Sequence, residues 1–267
     1  MIFPPLFWLM LMVCLLVSAI GFKNYVWFIS LGYGFSIAAE GLAMLLLYGT
    51  NLTAGTLVCC LLLVAYGLRL GGYLAIRERK SASYMKKMQG EIKDGKAIPF
   101  GVKFAIWITC AALYVTQVIP IFYRLHNGSG SSLLTYIGAA VMAFGLFFES
   151  LADVQKNTAK KSNPRRFVDT GLYRIVRCPN YLGEMIFWTG VLISGFGALT
   201  GVGQWIMALI GYVGIIYVMF SGARRLEIRQ NKNYGEDPDY QQYIKTVPIL
   251  LPFIPLYSVE KHKWLVA

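Results

Sequence analysis

Seven long apolar stretches govern what this chain can fold into. They run roughly over 4–21, 25–48, 54–76, 103–123, 131–153, 180–197 and 203–222. Each is near the ~20 residues a helix needs to cross a hydrocarbon core of ~30 Å. Inside a bilayer the backbone must satisfy its own polar groups, so runs of this length read as helices. Composition agrees: 57% of residues are hydrophobic and only 14% charged, where a soluble domain carries about a quarter. The expectation is an all-α polytopic membrane protein with seven transmembrane helices, built as a single domain over residues 1–267. Pro4 and Pro5 open the first stretch and Gly21 closes it. Met1 is followed by neither a basic n-region nor a small-residue cleavage site, so this stretch reads as a retained helix. The five cysteines have no metal-ligand spacing, and four lie inside apolar runs. They read as small buried hydrophobes, with no metal expected.

The cations fix an orientation. Lys23 lies in the first loop, eight Lys/Arg fall between Arg77 and Lys103, seven between Lys156 and Arg177, and seven from Arg224 onward. With seven spans, 23 of the 25 basic residues share one side. Arg124 alone faces the other side, and Arg69 sits within a helix. Basic loops stay cytoplasmic, which predicts a non-cytoplasmic N-terminus and a cytoplasmic C-terminus. The basic loop over 77–101 suits anionic lipid headgroups or a phosphate-bearing ligand. Two sequons, at Asn51 and Asn127, fall in non-cytoplasmic loops close to the membrane.

Ionisable groups at bilayer depth are functional candidates because their burial is costly. Glu40 stands midway along the second stretch with no basic residue one turn away. Tyr66, Arg69 and Tyr73 share a face of the third. Arg69 could snorkel to the interface, and the deeper Tyr66 hydroxyl needs a partner. Glu149, Asp153, Lys156 and Lys160 form one stripe where the fifth stretch leaves the membrane. Arg174, Arg177, Asn180, Glu184 and Trp188 form a fourth cluster, the last three recurring every four residues after Pro179, which suits a first helical turn. Asn180 and Glu184 could bind an amide-bearing ligand or join helices. Arg165, Arg166, Lys160 and Lys161 would suit phosphates, as would Arg224 and Arg225. No nucleotide-binding glycine motif, P-loop, HExxH or Ser–His–Asp arrangement occurs. The two histidines, His126 and His262, lie outside the apolar stretches.

The segment GLYRIVRCPNYLGEMIFWTG resembles the signature of the steroid 5α-reductase family. The resemblance extends over residues 35–255 and is densest at 149–190. Asp153, Asn180, Glu184 and Trp188 match family positions, Arg166 keeps an arginine, and Lys160 stands where an arginine is usual. Glu149 stands where the animal enzymes carry Asn. Glu40 matches the lone glutamate of the second helix, Tyr66-x-x-Arg69-x-x-x-Tyr73 the third-helix motif, and Tyr240 the C-terminal tyrosine. The resemblance implies NADPH-dependent reduction of the C4–C5 double bond of a 3-oxo-Δ4-steroid. Glu40 and Tyr66 would then be catalytic, polarising the 3-oxo group. Arg69, Glu149, Asp153, Lys160, Arg166, Asn180, Glu184, Trp188, Arg225 and Tyr240 would bind the cofactor. The partners expected are a steroid or sterol-like lipid and membrane lipid, with no nucleic acid and no obligate protein partner. Two alternatives stay open. One is a reductase of another sterol, polyprenol or enoyl double bond. The other is an isoprenylcysteine-methyltransferase-like enzyme using S-adenosylmethionine, against which Cys178 replaces that family's usual histidine.

Overall fold

A computed structural model of the chain describes residues 3–80 and 98–266. Much of the basic loop expected over 77–101 therefore lies outside the described residues. Among the described residues the regular structure is helical, with no strand. The α-helices are α1 (Pro5–Ser18), α2 (Leu31–Leu47), α3 (Ala54–Lys80), α4 (Phe100–Gln117), α5 (Ile119–His126), α6 (Leu133–Ser162), α7 (Pro179–Gly195), α8 (Val202–Tyr234) and α9 (Pro238–Thr246).

Among the described residues six helical segments are long and apolar enough to cross a membrane: Pro5–Phe22, Tyr25–Leu47, Ala54–Arg77, Phe100–Gln117, Leu133–Ser162 and Val202–Tyr234. Many of their large apolar side chains are exposed, among them Leu16, Leu46, Phe147 and Val213. Such a surface is at home against acyl chains. The chain is a multi-pass integral membrane protein.

The sixth expected stretch is α7, whose 17 residues extend about 25 Å at 1.5 Å per residue. It is shorter than the other spans. The fourth expected stretch, read as one helix over 103–123, is two, because Pro120 supplies no amide hydrogen and restarts the helix as α5.

The chain divides into two compact units. Unit 1 comprises Met1–Ala139 and Val191–Tyr212, and unit 2 comprises Ala140–Gly190 and Val213–Ala267. In unit 1, α2 and α3 approach at glycines. A Cβ on Gly34 would lie 2.6 Å from the Gly71 nitrogen, and one on Gly67 would strike the Gly34 carbonyl. Arg124, the cation that the charge count sets apart from the other loops, lies in α5. It is 2% exposed and donates to the carbonyls of Ser194 (2.5 Å), Gly130 (2.7 Å) and Phe196 (2.7 Å). A cation there neutralises the carbonyl end of α7. Asn127 Nδ2 donates to the Ala198 carbonyl at 2.8 Å.

In unit 2, α6 and α7 approach the same way. A Cβ on Gly183 would lie 2.6 Å from the Glu149 nitrogen, and one on Gly145 would lie 2.7 Å from the Gly183 carbonyl. Gly171, at φ +61°, sits in the left-handed region that favours glycine. It lets the following amide, that of Leu172, take a 2.8 Å bond to Gln155 Oε1. The C-terminal segment is tied down by Arg177 N to Pro248 O (2.9 Å) and Cys178 N to Ile249 O (3.0 Å). Asp237 caps α9 by accepting from the amides of Asp239 and Tyr240, with Pro238 in the first turn. Cys14, Cys59, Cys60 and Cys178 are buried and Cys110 half-buried, as small hydrophobes would be.

Candidate functional site

Unit 1 carries Glu40 and Tyr66 on the closely packed α2 and α3, both at 0% exposure. Neither Glu40 carboxyl oxygen has a hydrogen-bond partner among the described residues. The Cys14 thiol lies beside that carboxyl, but a thiol is only a weak donor. The Tyr66 hydroxyl meets Tyr33 Oη at 3.0 Å. Tyr33 in turn lies against the Tyr114 ring, centroids 5.1 Å apart, and Tyr114 Oη donates to the Phe28 carbonyl at 2.6 Å. Tyr33 was not singled out from the sequence, although it shares the face of Glu40 seven residues away. Arg69 is half-buried, 5.8 Å from the Tyr73 ring, and Arg77 is 5.5 Å from the same ring. Chemically, a carboxyl buried among apolar helices is cheapest as the neutral acid, a strong donor to an oxygen that develops negative charge.

Unit 2 carries the polar residues of the signature. Glu149, Asp153, Glu184 and Trp188 are buried and Asn180 is half-buried. The glycine contact between α6 and α7 sets Glu149 opposite the turn that bears Asn180 and Glu184. The Asn180 Oδ1 atom is buried with no hydrogen-bond partner among the described residues, so it is an acceptor in want of a donor.

A cavity of about 90 Å³ in the same unit is lined by four cations, Lys156, Lys160, Arg177 and Arg229, and by no acidic side chain. One water needs roughly 10–15 Å³, so this volume suits several waters or one tetrahedral oxyanion, and not a whole dinucleotide. Arg177 is 2% exposed. Its Nη2 donates to Glu227 Oε1 at 2.9 Å and to the Tyr257 carbonyl, while Nε and Nη1 have no partner among the described residues. These are the donors a buried phosphate oxygen would accept from.

The remaining sequence candidates have other company. Lys160 lines the cavity but also donates to Tyr234 Oη at 2.9 Å and to the carbonyls of Pro164 and Arg166, bracing the turn after α6. Arg166 is exposed and pairs with Asp169 (2.9 Å) and Asp239 (3.2 Å). The Asp169 carboxylate beside it holds its guanidinium above the ordinary value. Arg225 is exposed. Tyr240 is fully buried and donates to Asn231 Oδ1 at 2.7 Å. Burial pushes its phenol up to about 12, so it serves there as a neutral donor. Neither Arg166, Arg225 nor Tyr240 lines the cavity. Sequence reasoning grouped Arg177 with Asn180 and Glu184 without assigning it to phosphate, and it missed Arg229, whose only signal was its place on a basic helix end.

The family described as "Protein of unknown function (DUF1295)" matches residues 16–247. The chain belongs to the DUF1295 family. That family includes steroid 5α-reductase-like proteins. Over 122 residues the chain is also 30% identical to the very-long-chain enoyl-CoA reductase of Dictyostelium discoideum. That segment is 45% of this chain and 36% of the relative, so the match spans little more than a third of the relative's length. No solved structure matches this DUF1295 chain.

Proposed function

We propose that this protein reduces a carbon–carbon double bond conjugated to a carbonyl in a membrane lipid, with NADPH as the reductant. The observation that carries the reading is Glu40: fully buried, and with no hydrogen-bond partner for either oxygen among the described residues. A carbonyl oxygen accepting from the neutral acid would satisfy it, and the Tyr66 hydroxyl on the adjacent helix would assist. NADPH, when bound, supplies a hydride to the carbon β to that carbonyl. As the π electrons move onto oxygen, Glu40 and Tyr66 stabilise the enolate. A proton added at the α carbon then restores the carbonyl, so the lipid gains two hydrogens.

In unit 2 the fit to the cofactor rests on orphaned polar atoms. Asn180 Oδ1 would accept from the carboxamide, with Glu184 one turn away. Arg177, Lys156, Lys160 and Arg229 would hold phosphate oxygens. Glu149, Asp153 and Trp188 would complete the surroundings of the nucleotide, and Arg69, Arg166, Arg225 and Tyr240 keep only the family resemblance as support.

The finer reading, from the same resemblance, is the C4–C5 double bond of a 3-oxo-Δ4-steroid. The likeness to an enoyl-CoA reductase favours a second reading, an enoyl thioester, with the same conjugated carbonyl. The test is incubation of the purified protein with NADPH and a panel of steroid enones and enoyl thioesters, followed by mass spectrometry. Gain of two hydrogens by one class selects the substrate. No gain by any conjugated carbonyl lipid, with NADPH left unoxidised, would sink the reading.

A further inference from the structure

Three buried polar side chains of unit 1 share one property: Ser36 Oγ, both Glu40 oxygens and both Gln117 amide atoms have no hydrogen-bond partner among the described residues. Each residue is at most 2% exposed. Apolar side chains would be cheaper at all three places, because a buried polar group left unpaired loses its hydration with no return. A group that binds among them would remove that cost.

They stand on two helices that contact each other, α2 and α4. Tyr33, Ser36 and Glu40 lie at i, i+3 and i+7 on one face of α2. At one end of that face the Tyr33 ring lies 5.1 Å from Tyr114 on α4, and just beyond the other end Tyr48 lies 6.2 Å from Phe122 on α5. The two stretches therefore run in the same direction. Moving from Tyr33 to Ser36 and Glu40 is matched on α4 by moving from Tyr114 to Gln117.

We propose that Gln117 is a third donor to the substrate oxygen, so that Glu40, Tyr66 and Gln117 together hold one lipid oxygen in a recess beside Ser36. The enolate oxygen that develops has three lone pairs and no hydrogen to give. The neutral Glu40 carboxyl, the Tyr66 hydroxyl and the Gln117 amide supply one donor each. In the reduction all three donors face the oxygen on which the enolate charge develops. This rests on the proposed reduction of a conjugated carbonyl, but its binding half can be tested without turnover.

The full chain in detergent, as wild type, Gln117→Met and Gln117→Leu, is compared in two assays. In the first, thermal midpoints are recorded with a 3-oxo-steroid, a long-chain enone, the hydrocarbon counterpart of each, and a long-chain amine. The wild type should be stabilised by a ketone over its hydrocarbon, and both variants should lose that difference. Their midpoints without ligand should be unchanged or higher, since an unpaired buried amide has been removed. In the second, turnover with NADPH and the conjugated carbonyl lipid that the wild type reduces should fall on the order of 10²-fold in both variants. Ketone preference without reduction in the wild type would keep the recess and discard the reductase reading. Reduction at wild-type rates by the variants, a ligand-free midpoint that falls with the activity, or stabilisation by the amine alone would each overturn the role of Gln117.

Discussion

At the scale of single residues, the chemistry turns on which buried polar groups are satisfied. Glu40→Gln keeps the volume and an N–H donor but removes the acidic O–H. NADPH binding should survive while enone reduction slows by about 10²–10³, the usual cost of one lost donor to a developing oxyanion. Tyr66→Phe should behave likewise. Wild-type turnover in both would reduce Glu40 to a core residue. In unit 2, Asn180→Ala should weaken NADPH binding and leave the ligand-free thermal midpoint nearly unchanged, because Oδ1 makes no hydrogen bond among the described residues. Equal loss of stability with and without NADPH would make Asn180 a helix-joining residue instead. Glu40 was legible in the sequence because a lone carboxylate in an apolar run is conspicuous. Gln117 breaks its own apolar run in the same way, but an uncharged amide raises no alarm in a search for ionisable groups. The surroundings of Arg124 were not legible either. Counting charges by loop assigns a side and says nothing of partners, and only the fold shows three carbonyls converging on it.

At the scale of elements, glycines and one buried ion pair set the register. Gly34 and Gly67 bring α2 against α3, and Gly145 and Gly183 bring α6 against α7. The apolar runs were readable as helices because hydrophobicity over ~20 residues has few other outcomes. Which helices touch was not readable, since it depends on the absence of a Cβ at particular turns. The signature divides in two. Gly171 and Arg177 shape and anchor the turn before α7, whereas Asn180 and Glu184 are the residues proposed to hold the cofactor. Arg177 and Glu227 are 1% and 2% exposed at the side chain, and Glu227 Oε2 also accepts from the Val259 amide at 2.8 Å. Glu227→Ala therefore leaves a buried guanidinium uncompensated and frees the C-terminal segment. A loss of about 3–5 kcal/mol is expected, read as a lower thermal midpoint and earlier proteolysis after residue 247. The double variant Arg177→Met/Glu227→Leu should recover most of the midpoint. If the single variant is as stable as the wild type, the pair does not hold the segment.

At the scale of the whole molecule, the sidedness of the chain depends on whether α7 counts as a crossing. Among the described residues six helices qualify by length and hydropathy, and α7, with 17 residues, reaches about 25 Å of the ~30 Å core. A short helix can still cross where the bilayer thins or its flanking groups reach out to the interface, at a modest cost per ångström. The distribution of cations argues that it does. Seven crossings put 23 of 25 basic residues on one face, and the burial of Arg124 removes one of the two that did not conform. With six crossings the seven basic residues from Arg224 onward would be parted from the seven between Lys156 and Arg177, against the bias that orients helices during insertion. The proposed cofactor chemistry makes the same demand, because a dinucleotide is supplied from the cytoplasm and the cations of unit 2 come from both sets. A reporter fused after residue 267 should therefore be active only when retained in the cytoplasm, and one fused before Met1 only when translocated. A C-terminal reporter active in the periplasm or lumen would reduce α7 to a re-entrant or interfacial helix and place the basic end of α8 away from the NADPH supply.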